Sequence, residues 1–189
     1  MLSKTQVVLS YGQQRLWTLD QVDGPSATYN MPSVLHLHGK VDHSALKKAI
    51  QAIIERHESL RTFIEANEND LLNGFLLDPP KLDEVISIIN LQTLHEQDPA
   101  ACNEQVEALL KAEAAKPFDL GRDYALRSQL IVLGEQHAIL SLTLHHHAGD
   151  ETSIGILAHE LDLAYRAFLQ NQVPAWQPLP IQYSDWAAW

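Results

Sequence analysis

The chain is poor in cysteine, in basic residues and in long apolar runs, and each shortage excludes a class of protein. Its one cysteine, Cys102, cannot close a disulfide within the chain. A disulfide-stapled secreted scaffold is therefore excluded, and a reducing cytoplasm is the expected setting. The 13 Lys and Arg are outnumbered by 24 Asp and Glu, giving a formal net charge of -11. Such a balance argues against a nucleic-acid surface, which would need basic patches for the phosphates. No apolar run approaches the roughly 20 residues of a membrane helix. The opening stretch "MLSKTQVVLSYGQQ" lacks the apolar core and small-residue cleavage site of a secretory signal. We expect no nucleic acid and no membrane among its partners.

What is present is enough to build a core: 46% of the 189 residues are hydrophobic. "YGQQRLWTLDQ" predicts a short helix, and "SVLHLHG" a strand ending at Gly39. Asp42 predicts an N-cap for a helix to about His57, with Leu46, Ala49, Ile50, Ile53 and Ile54 on one stripe. "RTFIEA" and "LLNGFLL" predict two short strands around a polar turn, and "DEVISIINL" another strand. Asp98-Pro99 predicts the start of a helix to about Lys116. "YALRSQLIVLGEQHAILSLTLHH" predicts two strands joined at Gly134–His137, followed by a helix over Ser153–Leu169. The tail is extended, then helical from Tyr183. Helices and strands do not alternate regularly, so the expected class is α/β (α+β), with a mixed sheet flanked by helices.

The apolar run "LSLTLHHHAGDE" ends in three histidines. Strand alternation, if it holds that far, puts His146 on the face of Leu140, Leu142 and Leu144, and His145 and His147 on the other. An imidazole on an apolar face loses hydration and stays neutral, able to accept a proton near pH 7. Three readings compete: surface histidines at a strand end, a metal site, or a general base at His146. The metal reading is the weakest, since neither cysteines nor an HExxH spacing accompany the histidines. The histidines at 36, 38 and 43 show no constellation, and His57 reads as packing at a helix end. Cys102 reads as inert, and the tryptophans as core or interface anchors.

"HHHAGDE" resembles the HHxxxDG signature of the condensation domains of nonribosomal peptide synthetases, matching at His145, His146 and Asp150. Other motifs of that family stand in order: "LSYGQQRLWTLDQ", "ATYNMP", "RHESLRTFI", "KPFDLGRDYALR" and "YSDWAAW". The resemblance covers essentially residues 1–189. It implies a chloramphenicol acetyltransferase-like lobe, the N-terminal one of two, with the C-terminal lobe absent. It implies amide-bond formation between a donor acyl thioester and an acceptor aminoacyl thioester, with His146 as base or orienting group. No cofactor of its own is implied; phosphopantetheine arms of carrier proteins present the substrates. The implied partners are those carrier proteins, the C-terminal lobe and neighbouring synthetase domains.

The resemblance also implies supporting roles. His145 serves the fold, and Asp150 pairs with Arg61 as a structural ion pair. Glu151 replaces the motif glycine, beside a channel that admits thioesters. Alone, the lobe is expected to be inactive and to expose an apolar face. Two alternatives stand beside this reading. One is a non-catalytic module that docks carrier proteins, which Glu151 favours. The other is a free-standing acyltransferase, whose histidine motif would lie nearer the C-terminus.

Overall fold

The computed structural model describes residues 5–189. The strands are β1 (Thr5–Val7), β2 (Asn30–His38), β3 (Thr62–Ala66), β4 (Leu72–Leu76), β5 (Ser87–Asn90), β6 (Leu126–Gly134) and β7 (His137–His145). The helices are α1 (Tyr11–Asp23), α2 (His43–Arg56), α3 (Gln92–Gln97), α4 (Pro99–Ala115), α5 (Glu151–Leu169) and α6 (Tyr183–Ala188). A 3-10 turn, Glu58–Arg61, leads from α2 into β3. The predicted elements are all found; β1, the 3-10 turn and α3 are too short to leave a periodic signal.

Side-chain caps set the helix starts. Ser10 accepts from the Gln13 amide, Asp42 from Ala45 and Asp98 from Ala101. Each satisfies an amide that the first helical turn leaves without a partner. On α2 the expected stripe Leu46, Ala49, Ile50, Ile53 and Ile54 is buried.

The strands form two sheets where the sequence suggested one. Four strands run β2-β7-β6-β5, antiparallel except for the parallel β5–β6 pair. Three short strands form a separate antiparallel sheet, β1-β4-β3. Strand periodicity says which face a residue takes but not which neighbour a strand chooses.

The four-stranded sheet is covered on both faces. Leu140, Leu142 and Leu144 of β7 join α2 and α5 in the main core. Ile139 on the opposite face packs with Cys102 and Val106 of α4 and with Leu94 of α3. This sandwich holds β7 between two strands for its whole length, so whatever follows His145 starts from a fixed point. In the tail, Trp176 packs on the main core under the Arg56 guanidinium, while Trp186 and Trp189 stand exposed.

Candidate active site

β7 ends at His145, whose amide donates to the Ala125 carbonyl at 2.9 Å. The chain then leaves the sheet. The His146 amide donates to the Tyr29 carbonyl (2.9 Å), and the Ala148 amide donates back to the His145 carbonyl (3.0 Å). This turn sorts the three histidines. His145 and His147 are buried, each 4% exposed, and His146 is exposed. The alternation expected to carry His146 onto the apolar face stops one residue too early. His146 therefore stands in the open, on the turn, rather than against Leu144.

The His146 ring is nevertheless held. Its Nδ1 lies 2.7 Å from the Gly149 carbonyl oxygen. A carbonyl can only accept, so Nδ1 carries the proton and donates it. In the neutral ring Nε2 is then left with its lone pair. Gly149 permits this close return. A Cβ there would lie 2.8 Å from the Ser153 Cβ and 3.0 Å from the Leu144 Cδ2. Neither neighbour can easily withdraw, since one belongs to a helix start and the other to the core.

Asp150 and Arg61 are not paired, which corrects the expectation. Asp150 is the N-cap of α5: its Oδ1 accepts from the Ser153 amide and the Ser153 hydroxyl, both at 2.9 Å. Those bonds, the backbone one first, hold its carboxyl below the usual range. Arg61 donates instead to the Leu77 carbonyl (3.0 Å) and faces Glu58 at 3.7 Å. A carboxylate three residues ahead of two free donors finds them locally, without ordering a distant guanidinium. Glu151 is the first residue of α5 and exposed. Backbone there is helical, so the freedom of the motif glycine is not required, and a negative charge suits a helix N-terminus.

Beneath the turn the two buried histidines meet, Nδ1 to Nδ1, at 2.9 Å. The Phe118 ring lies edge-on to His145, and the Arg127 guanidinium stacks over the Phe118 ring at 3.7 Å. Burial first, then the nearby His147, His146 and Arg127, lowers the His145 pKa to about 3. Burial lowers His147 to about 4, against a raising contact with the Thr62 carbonyl. His145, expected to serve the fold, is buried between the Phe118 and His147 rings. From sequence, His147 is marked only as sharing a face with His145, and Gly149, Thr62 and Tyr29 have no role of their own.

Other predicted bystanders have partners. His57 Nε2 lies 2.6 Å from Glu160, whose other oxygen accepts from Arg56 at 2.9 Å, tying α2 to α5. His36 and His38 do have a constellation: both stack on His137, and His95 meets its edge. Among the described residues no three histidine, cysteine or acidic side chains converge as metal ligands. Cys102 is fully buried in α4, and burial raises its thiol pKa. No helix of the described residues is long and apolar enough to cross a membrane.

Residues 3–189 match the family described as Condensation domain. The chain belongs to the condensation-domain family. It is 38% identical over 186 residues to malpibaldin synthetase of Mortierella alpina, covering 96% of this chain and 3% of that protein. It is 34% identical over 184 residues to the dimodular nonribosomal peptide synthase of Bacillus subtilis (strain 168), covering 97% of this chain and 7% of that protein. The chain thus spans a small fraction of the synthetases it matches. Among solved structures, the X-domain from teicoplanin biosynthesis superposes with a TM-score of 0.82 at 27% identity, over 100% of this chain and 38% of that one. The first condensation domain of the calcium-dependent antibiotic synthetase gives 0.82 at 21% identity, over 97% and 44%, which shows the shared fold. Condensation domains are peptide-bond-forming acyltransferases of nonribosomal peptide synthetases. The stretch HHHAGDE, residues 145–151, forms the end of β7, the turn and the cap of α5.

Proposed function

We propose that the chain is the N-terminal lobe of a peptide-bond-forming condensation domain, and that His146 is its base or orienting group. The observation that carries this is the 2.7 Å bond from His146 Nδ1 to the Gly149 carbonyl. It fixes one tautomer and leaves Nε2 as a lone pair on an exposed ring, which is what proton acceptance requires. The substrates are an acceptor aminoacyl thioester and a donor acyl thioester, each on the phosphopantetheine arm of a carrier protein. The acceptor amine attacks the donor carbonyl, forming the C–N bond. Nε2 takes or aligns the proton that the amine sheds. The C–S bond breaks, and the departing thiolate leaves with a proton as thiol.

The reading of one lobe among two is supported by the coverage of the solved domains, 38% and 44%. A second lobe would wall the channel, align the two arms and exclude water. The chain alone should therefore not condense thioesters. Partners on this reading are the carrier proteins, the second lobe and neighbouring synthetase domains.

A second reading is favoured by one observation. The teicoplanin X-domain, solved in complex with OxyB, superposes with a TM-score of 0.83 at 26% identity. A condensation-type fold can thus serve as a docking surface, and this chain would then be a non-catalytic binding module. A condensation assay on the two-lobed domain with carrier-bound thioesters separates them. The catalytic reading expects a peptidyl thioester that disappears in His146→Ala. Product formed equally by parent and variant would overturn the role of His146, and no product from either would favour the docking module.

A further inference from the structure

His147 occupies a position that the HHxxxDG motif leaves open, yet it is one of the most enclosed polar side chains near the site. Its ring is held on two sides. Nδ1 lies 2.9 Å from His145 Nδ1, and Nε2 lies 3.3 Å from the Thr62 carbonyl of β3. Its own amide donates to the same His145 Nδ1 at 3.2 Å. The amides of His145 and His146 fasten the start of the turn to the Ala125 and Tyr29 carbonyls. Between His146 and Gly149, the bond from Ala148 back to His145 is internal to the turn. The His147 ring reaches across to β3, a strand of the other sheet.

Proton counting shows what kind of anchor this is. His145 Nδ1 accepts the His147 amide, so it presents a lone pair. A proton on His147 Nδ1 shares that one lone pair with the amide, and it leaves Nε2 of a neutral ring without a proton opposite the Thr62 carbonyl. Moving the proton to Nε2 repairs that contact and sets two Nδ1 lone pairs face to face. A neutral pair always leaves one contact unfavourable. An apolar side chain would have none, so the ring is a poor choice for stability alone.

We infer that His147 is a positioning residue: fixed between His145 and the Thr62 carbonyl, it sets the turn so that the His146 ring reaches the Gly149 carbonyl and keeps Nε2 free. The inference rests on the reading of His146 as base or orienting group, and it names the part that aims it.

The test is nitrogen-15 NMR of the histidine rings in the 189-residue chain, which reports the tautomer of each imidazole directly. In the parent chain the Nδ1–H form of His146 should dominate. His147→Leu should fold at least as well, since it removes the unfavourable contact, yet shift His146 towards the other tautomer by about tenfold, the worth of one hydrogen bond. His147→Asn, whose amide can still donate to His145 Nδ1, should restore the parent tautomer. A folded His147→Leu chain with the parent His146 tautomer would overturn the inference. Should His147→Leu fail to fold, His147→Asn decides alone: retention of the Nδ1–H form supports the inference and its loss overturns it. Condensation unaffected by His146→Ala would remove the proposed chemistry, while the tautomer result would still settle what His147 does.

Discussion

β7 begins and ends in histidine clusters, and the two ends are built differently. At its start, His137 lies among His36, His38 and His95, with rings stacked 5.3 to 5.9 Å apart or meeting edge to face at 6.4 Å. The buried Nε2 of His137 and Nδ1 of His95 have no partner. At its end, every ring has an assigned contact, and the turn points one ring out and two in. Stacked rings present faces to one another, and no nitrogen is aimed. A density of histidines is therefore not a site. On the proposed reading, what makes one is a backbone acceptor that fixes the tautomer and an irregular segment that separates the rings.

Removing one ring from each end should give the largest contrast. Within a two-lobed condensation domain, His146→Ala should lower kcat by about 10²- to 10⁴-fold, the usual worth of a positioned proton acceptor. His137→Ala should leave it unchanged. Equal losses in a steady-state thioester assay would mean that both act through folding.

Acid titration separates the two ends next. His145 and His147 are held to about 3 and about 4, below the ordinary histidine value of 6.5. Between those values and 6.5 the native rings stay neutral while the unfolded chain takes up protons. Their contribution is therefore complete above about pH 6.5 and is lost as pH falls towards about 4. The slope is about 1.4 kcal/mol per pH unit for each ring. Urea unfolding between about pH 7 and about pH 4.5 should show it, with His147→Leu reducing the slope by one ring's share. His137 is also lowered, by burial first and then by His38, His36 and His95. Its removal should change the slope by less, since it is only partly enclosed. A His147→Leu profile parallel to the parent would contradict this assignment.

Much of this was legible in sequence because the signals are local. Asp42 and Asp98 announced their helices, and the stripe on α2 followed from its period. The motif placed His145, His146 and Asp150 in one short segment. What failed did so for physical reasons. Alternation cannot report where a strand stops, and a stop after His145 reversed the exposure expected for His146. The expected Asp150–Arg61 pair assumed two charges would seek each other, whereas Asp150 met Ser153 three residues away. His147 and Gly149 carry no sequence signal of their roles, which exist only because β3, Leu144 and α5 converge on the turn.

Gly149→Ala tests the acceptor itself. The added Cβ would meet Ser153 and Leu144 at 2.8 and 3.0 Å, so the turn must move and the carbonyl with it. His146 should lose its fixed tautomer, and condensation should fall by about tenfold, one hydrogen bond's worth of orientation. Gly134, at the other end of the hairpin, has open space around its Cβ position. Alanine there should leave activity as it was. If both substitutions behave alike, the Gly149 carbonyl does not hold the ring.

The smallest effect is expected at the caps. Asp42 opens α2 and Asp150 opens α5, each bonding an amide three residues on, at 2.8 and 2.9 Å. Asp150→Ala and Asp42→Ala should each lower the melting temperature by only a few degrees, as the loss of an N-cap does. A buried ion pair would behave differently. Removing Asp150 would strand the Arg61 guanidinium, and a stranded buried charge destabilises far more than a lost cap. Here Arg61 keeps the Leu77 carbonyl and Glu58 whatever happens at residue 150. Asp150→Asn should recover most of the loss, because an amide oxygen also accepts from the Ser153 backbone. Calorimetry of the three variants decides between the two pictures: a collapse specific to Asp150, unrelieved by asparagine, would restore the ion pair with Arg61.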